Sequence, residues 1–113
     1  SIVNEAYKER IIAAKDIDSA VTGRSHGHPV RSLRNAMTRE YSKLEAEGKS
    51  FEELEYLTLG TLRKAVIEGD IVHGTVMAGQ IAGLVSKKQS AKEIIDEIIS
   101  EATNLLKNAG SLV

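Results

Sequence analysis

Between Gly69 and Val85 the chain reads GDIVHGTVMAGQIAGLV, and no other stretch limits its fold as much. The segment is apolar yet short of side chains: Gly74, Ala78, Gly79, Ala82 and Gly83 leave one side nearly bare. Where side chains are missing, another backbone or a flat partner can approach closely. Asp70, His73, Thr75 and Gln80 add hydrogen-bonding groups beside that surface. Apolar and small residues almost all round predict a short helix over Thr75–Val85, buried on most sides. The bare surface has two open uses. Ala78/Ala82 and Gly79/Gly83 can let two helices pack closely, which is the commoner use of small residues. Alternatively, free N–H groups at a helix start can meet a cofactor ring or phosphate. Neither G-x-G-x-x-G nor G-x-x-x-x-G-K-S/T is present, so dinucleotide-fold and P-loop binding lack support.

Around this segment the pattern is helical. Val3, Tyr7, Ile11 and Ala14 recur at helical spacing and predict a helix over Val3–Ala14. Lys15–Thr22 alternates weakly and reads as a short extended stretch. Two glycines and the chain's single proline make Gly23–Ser32 a loop, and Pro29 pushes His28 out of helical geometry. Met37, Tyr41 and Leu44 mark a helix over Asn35–Glu47, stopped by Gly48. Ser50 and Glu53 form a capping box that opens a helix from Phe51 to about Leu57. Another runs from about Gly60 to Glu68 and ends at Gly69. Ser90 and Glu93 form a second box, opening a helix over Ala91–Asn108 with Gly110 placed to end it. Its Ile94, Ile95, Ile98, Ile99, Ala102, Leu105 and Leu106 are expected to be a core stripe. The expected fold is mainly α, with five or six helices and little or no sheet. The glycine-rich helix needs more neighbours than these supply, so the chain is expected to sit against a larger body.

Composition narrows the function. The 113 residues make one domain. Fifteen Lys and Arg against sixteen Asp and Glu exclude a generic nucleic-acid binder, which would be basic. Without cysteine there is no disulfide framework and no thiol nucleophile, which suits the cytoplasm. No run of about eighteen apolar residues predicts a membrane span, and no signal peptide is evident. The first residue is Ser rather than Met, so the chain is expected to be processed or a piece of something longer.

Local charge is less even. Arg24, Arg31, Arg34 and Arg39 stand in a stretch, Gly23–Arg39, that holds no acid. Such a patch can engage a phosphate or carboxylate, or its arginines can pair with acids elsewhere. His26 and His28 lack a third ligand at metal-site spacing, so no metal is expected. His73 can serve as an acid or base, or be structural. Tyr7, Tyr41 and Tyr56 fall on predicted helices and are expected to pack in the core or at its rim.

Taken together, Val21–Arg31 (VTGRSHGHPVR), Leu62–Ala65 (LRKA), Glu68–Gly83 (EGDIVHGTVMAGQIAG) and the helix start Lys92–Ile95 (KEII) resemble one family. It is that of the FMN-dependent enoyl-ACP reductases of the second type and their nitronate monooxygenase (2-nitropropane dioxygenase) relatives. The resemblance implies a TIM barrel that binds FMN at the C-terminal ends of its strands, with a smaller helical part. This chain resembles only the C-terminal third. By that likeness 1–22 is the last barrel helix and a following extended stretch, and 23–34 a linking loop. The stretch 35–85 is the small helical part with its flavin-facing helix, and 86–113 the C-terminal helix. The barrel strands, phosphate loops and catalytic histidine of the family lie upstream, so no residue here is expected to be catalytic. His26, His28 and His73 are not that histidine.

The resemblance places Met77, Ala78, Gly79 and Gln80 against the isoalloxazine ring. Arg24, His28 and Arg31 are expected to contact substrate or phosphate, either NAD(P)H or acyl carrier protein. The implied reaction of the whole enzyme is hydride transfer from NAD(P)H through FMN to an enoyl thioester in fatty-acid synthesis, with the segment inactive alone. Its implied partners are the upstream barrel, acyl carrier protein and a second copy of itself. The competing readings are the nitronate monooxygenase branch and a non-catalytic helical module that self-associates.

Overall fold

A computed structural model describes residues Ser1–Leu112; the expected C-terminal segment 86–113 ends at Val113, which lies outside them. Helix α1 spans Glu5–Ile12, capped by the Asn4 side chain, which accepts from the Ala6 N–H. Strands β1 (Ser19–Thr22) and β2 (Val30–Leu33) follow, joined through a 3₁₀ turn at Arg24–His26. Helices α2 (Ala36–Ala46) and α3 (Phe51–Thr58) come next. Helix α4 is a single turn at Thr61–Arg63 that widens into a π turn over Lys64–Glu68. A 3₁₀ helix at Gln80–Leu84 precedes the long α5, Ala91–Ala109.

The two expected capping boxes are both present. Ser50 accepts from Glu53 N–H and Ser90 from Glu93 N–H, with each glutamate reaching back. A third opens α2, where Asn35 and Thr38 cap each other. Two small cores result. Tyr7, Ala14, Leu33, Ala65, Val76 and Ala82 form one; Met37, Tyr41 and Leu54 form the other, between α2 and α3.

Three expectations need correction. The first is a loop boundary: what little sheet there is consists of β1 and β2 paired antiparallel, with Thr22 opposite Val30 and Ala20 opposite Ser32. The expected loop Gly23–Ser32 therefore ends inside a strand. Its tight return is possible because Gly23 takes φ +80°, and a Cβ there would lie 2.3 Å from the His28 carbonyl oxygen.

The expected helix over Thr75–Val85 is extended as far as Gly79 and becomes a 3₁₀ helix only from Gln80. Leu33 N–H donates to Val76 O at 2.8 Å and Ala78 N–H to Arg31 O at 3.4 Å, with Ser32 opposite Met77. The segment thus caps the free edge of β2, and a helix there would leave that edge unpaired.

Third, the α5 stripe is not core. Ile95, Ile98, Ile99, Leu105 and Leu106 are all exposed, and α5 has no buried residue. Its N-terminal end is tethered to α1 by Lys88, which bridges Glu5 at 2.8 Å and Glu9 at 3.3 Å. That contact is the chief cause that pulls the Glu5 carboxyl down to about 2. All three groups are exposed, so the tether orients more than it stabilises. The radius of gyration is 18.2 Å, against about 13 Å for a compact chain of this length. An amphipathic stripe is encoded within the helix, whereas its burial requires a facing surface. Among the described residues α5 finds none. Tyr56 likewise faces solvent, at 82 % exposure, while Tyr7 and Tyr41 are buried. No described helix is long and apolar enough to cross a membrane.

Candidate functional site

The extended run Val76–Gly79 is held from both sides. One edge pairs with β2. On the other, the Tyr7 hydroxyl donates to the Met77 carbonyl at 2.6 Å. Burial raises the Tyr7 phenol above its ordinary range, which keeps it a neutral donor. The backbone is therefore fixed, yet the N–H groups of Met77 and Gly79 take no partner among the described residues. Met77, Gly79 and Gln80 are exposed and Ala78 half-buried.

The glycines of the segment divide by use. A Cβ on Gly74 would lie 2.4 Å from Asp70 O and 2.9 Å from Ala65 Cβ. One on Gly83 would lie 2.5 Å from Asp16 Oδ1. Those two are bare so that the chain can pack on itself. At Gly79 a Cβ would meet nothing within 4 Å, and φ −76° with ψ 175° suits any residue. Its bareness answers no need inside this chain. Close packing of small residues is thus seen at Gly74 and Gly83, while the surface at Gly79 stays open among the described residues.

The polar groups near this run are mostly structural. Asp70 Oδ1 accepts from the N–H groups of Val72 and His73. These bonds, His73's first, hold its carboxyl below the ordinary range. The His73 ring is largely exposed, with its Nδ1 3.4 Å from Asp70 Oδ2. Thr75 shares a hydroxyl contact with Thr61 at 2.7 Å.

The arginine loop is fixed by an acid from elsewhere in the chain. Glu45 on α2 accepts from the Ser25 hydroxyl and from the N–H groups of Gly23 and Ser25, at 3.2 Å each. These contacts, the Ser25 hydroxyl first, hold the Glu45 carboxyl below its ordinary range. A depressed carboxyl stabilises above the ordinary carboxylate range and loses that contribution as pH falls through its folded value. Replacing Glu45 with alanine is therefore expected to speed tryptic cleavage after Arg24 about tenfold at neutral pH. The wild-type loop should loosen the same way as pH falls below the ordinary carboxylate range. Tryptic cleavage followed by mass spectrometry reads the first, and amide hydrogen exchange across residues 23–25 reads the second.

Of the loop's expected contact residues, Arg24 and Arg31 line one shallow groove with Val21, Gly27 and Pro29. Arg31 donates to Ser19 Oγ at 2.9 Å, and neither arginine joins an ion pair among the described residues. His28 is not with them. Its ring stacks on Phe51 of α3, centroids 4.5 Å apart, and faces a different cavity. No described cluster of three His, Cys, Asp or Glu could hold a metal. Sequence reasoning missed Tyr7 as the clamp on Met77 and Glu45 as the clamp on the arginine loop. Both act across twenty residues or more, and no local pattern signals them.

Fold and site thus define a helical module around a hairpin, with a fixed backbone edge at which the Met77 and Gly79 N–H groups take no partner among the described residues. The chain belongs to the nitronate monooxygenase family, whose model matches residues 1–101. It is similar to the solved structure of FabK from Thermotoga maritima at 36 % identity and a TM-score of 0.88. That match covers 98 % of this chain and 35 % of FabK. A point mutant of the same FabK matches at 32 % identity and a TM-score of 0.77, covering 98 % of this chain and 32 % of that one. The chain therefore spans about a third of the length of the structures it matches.

Proposed function

We propose that the whole protein is an FMN-dependent oxidoreductase built on a TIM barrel, and more finely an enoyl-ACP reductase of the second type. One observation carries the reading: a clamped backbone edge at Met77–Gly79 at which the Met77 and Gly79 N–H groups and bare Gly79 are unused among the described residues. That surface suits a flavin, which is planar and carries hydrogen-bond acceptors along its ring edge. Family membership and the likeness to FabK support the flavin reading. The sequence resemblance selects the enoyl reductase within it.

In this reading Met77 and Gly79 donate their N–H groups to the ring, and Tyr7 keeps Met77 from turning away. Gln80 offers an amide at the margin. The Met77 side chain shields the contact from water. The chemistry supplied by bound FMN is hydride transfer, from reduced nicotinamide to the double bond of an enoyl thioester. Arg24 and Arg31 offer an anion groove on the outer side of the hairpin, suited to a nucleotide phosphate or to acidic residues of acyl carrier protein. The upstream part of the same protein is the proposed cover for the α5 stripe.

The test is to purify the full-length protein, read its flavin bands, and follow NADH and NADPH oxidation with crotonyl thioester or with a nitronate. Flavin with thioester-dependent oxidation is the expected result. Nitronate oxidation without thioester reduction would establish the second reading, which the description of the matching family favours. A protein that neither retains nor takes up flavin would overturn both. The 113 residues alone are expected to show no turnover.

A further inference from the structure

Hairpin register sorts its side chains onto two faces. Because Thr22 pairs with Val30 and Ser32 with Met77, these four project to one side, opposite Arg31. They floor a cavity of about 300 Å³, roofed by Tyr41 of α2 and by Thr58 and Leu62 at the α3–α4 junction. Ser32 is 1 % exposed, and its Oγ is the one buried side-chain polar atom among the described residues without a hydrogen-bond partner. Such a group calls for an explanation. The charged lining residue Glu55 and the His28 ring are both exposed, so uncharged side chains line the interior. Met77 belongs to both places: its backbone forms the edge assigned to the flavin, and its side chain walls this cavity.

We propose that this cavity selects the acyl chain of the substrate. The hydrocarbon lies along Met77, Tyr41 and Leu62, and the Ser32 hydroxyl donates to the thioester carbonyl. The inference rests on the flavin reading for its orientation but is tested apart from it. A volume of about 300 Å³ is at the small end for ligand sites, so a short or medium chain is the expected occupant.

The test is calorimetric binding of saturated butanoyl, octanoyl and dodecanoyl N-acetylcysteamine thioesters to the full-length protein. Affinity is expected to rise about fourfold per added methylene until the cavity is full. Leu62→Trp should abolish the gain for the longer chains and spare butanoyl binding; Thr58→Phe does the same from the neighbouring turn. Ser32→Ala should weaken every thioester about fivefold. Affinity independent of chain length, or unchanged by both bulky variants, would overturn the pocket. Thioester binding unaltered by Ser32→Ala would remove the hydroxyl's role. Failure of the reductase reading looks different: chain-length-dependent binding would persist while crotonyl thioester is not reduced.

Discussion

Replacing Gly79 with alanine is expected to strip the full-length protein of most of its flavin while leaving the fold untouched. The backbone there, φ −76° and ψ 175°, accepts any residue, and the new methyl group would touch nothing within 4 Å in this chain. A partner resting on the backbone, by contrast, would be lifted off it. Lifting weakens the donor contacts from Met77 and Gly79 N–H, each worth about 1 kcal/mol, together with dispersion contact across the ring face. The dissociation constant for FMN should rise at least about tenfold, since about 1.4 kcal/mol corresponds to that factor. Titrating apoprotein with FMN measures it, and the melting temperature of the apoprotein should stay at the wild-type value. Gly74→Ala is the internal contrast. Its Cβ would lie 2.4 Å from Asp70 O and 2.7 Å from Ala65 N, so the backbone must shift. Overpacking of that kind costs about 1–3 kcal/mol, and there stability should fall. Equal flavin affinity in wild type and Gly79→Ala would refute the assignment of this edge.

That contrast also shows what the sequence could disclose. The capping boxes at Ser50 and Ser90 were legible because each is a local bargain among four residues. The bare character of Gly69–Val85 was legible from composition alone. Its conformation was not, because small apolar residues carry no period that separates helix from strand. The deciding factor was the unpaired edge of β2, more than forty positions upstream. Gly79 and Gly74 look alike in the sequence, and only the surroundings of each separate a glycine facing open space from one bared for Ala65. The α5 stripe was read correctly as apolar and wrongly as buried. Amphipathicity belongs to the helix, while burial belongs to whatever faces it. His28 was grouped with Arg24 and Arg31 by proximity in the chain, but Phe51 draws it to the other side of the hairpin.

Asn35 should prove the most destabilising polar site in the chain. It is buried, and its side chain does three jobs: Oδ1 accepts from Thr38 N–H at 3.0 Å, while Nδ2 donates to Ile71 O at 2.8 Å and to Gly74 O at 2.7 Å. The first bond caps α2. The other two pin the turn that leads into the Met77–Gly79 edge, so this one amide joins helix, turn and site. Alanine loses a cap worth about 1 kcal/mol and leaves two carbonyls without their donor at about 1–3 kcal/mol each where burial keeps water out. A loss of about 3 kcal/mol or more is expected. Aspartate sharpens the prediction. It keeps the cap, and at an exposed helix start it would be harmless, but here a carboxylate would face two carbonyl oxygens with no proton to offer. Asn35→Asp should therefore be at least as damaging as Asn35→Ala, opposite to the order expected of a residue that only caps. Hydrogen exchange of peptides spanning 35–38 and 71–76 in the full-length protein separates the cases. Both segments should lose protection together in either variant. If Asn35→Asp retains wild-type protection at 71–76, the amide does not hold that turn, and the rigidity ascribed to the edge must come from β2 and Tyr7 alone.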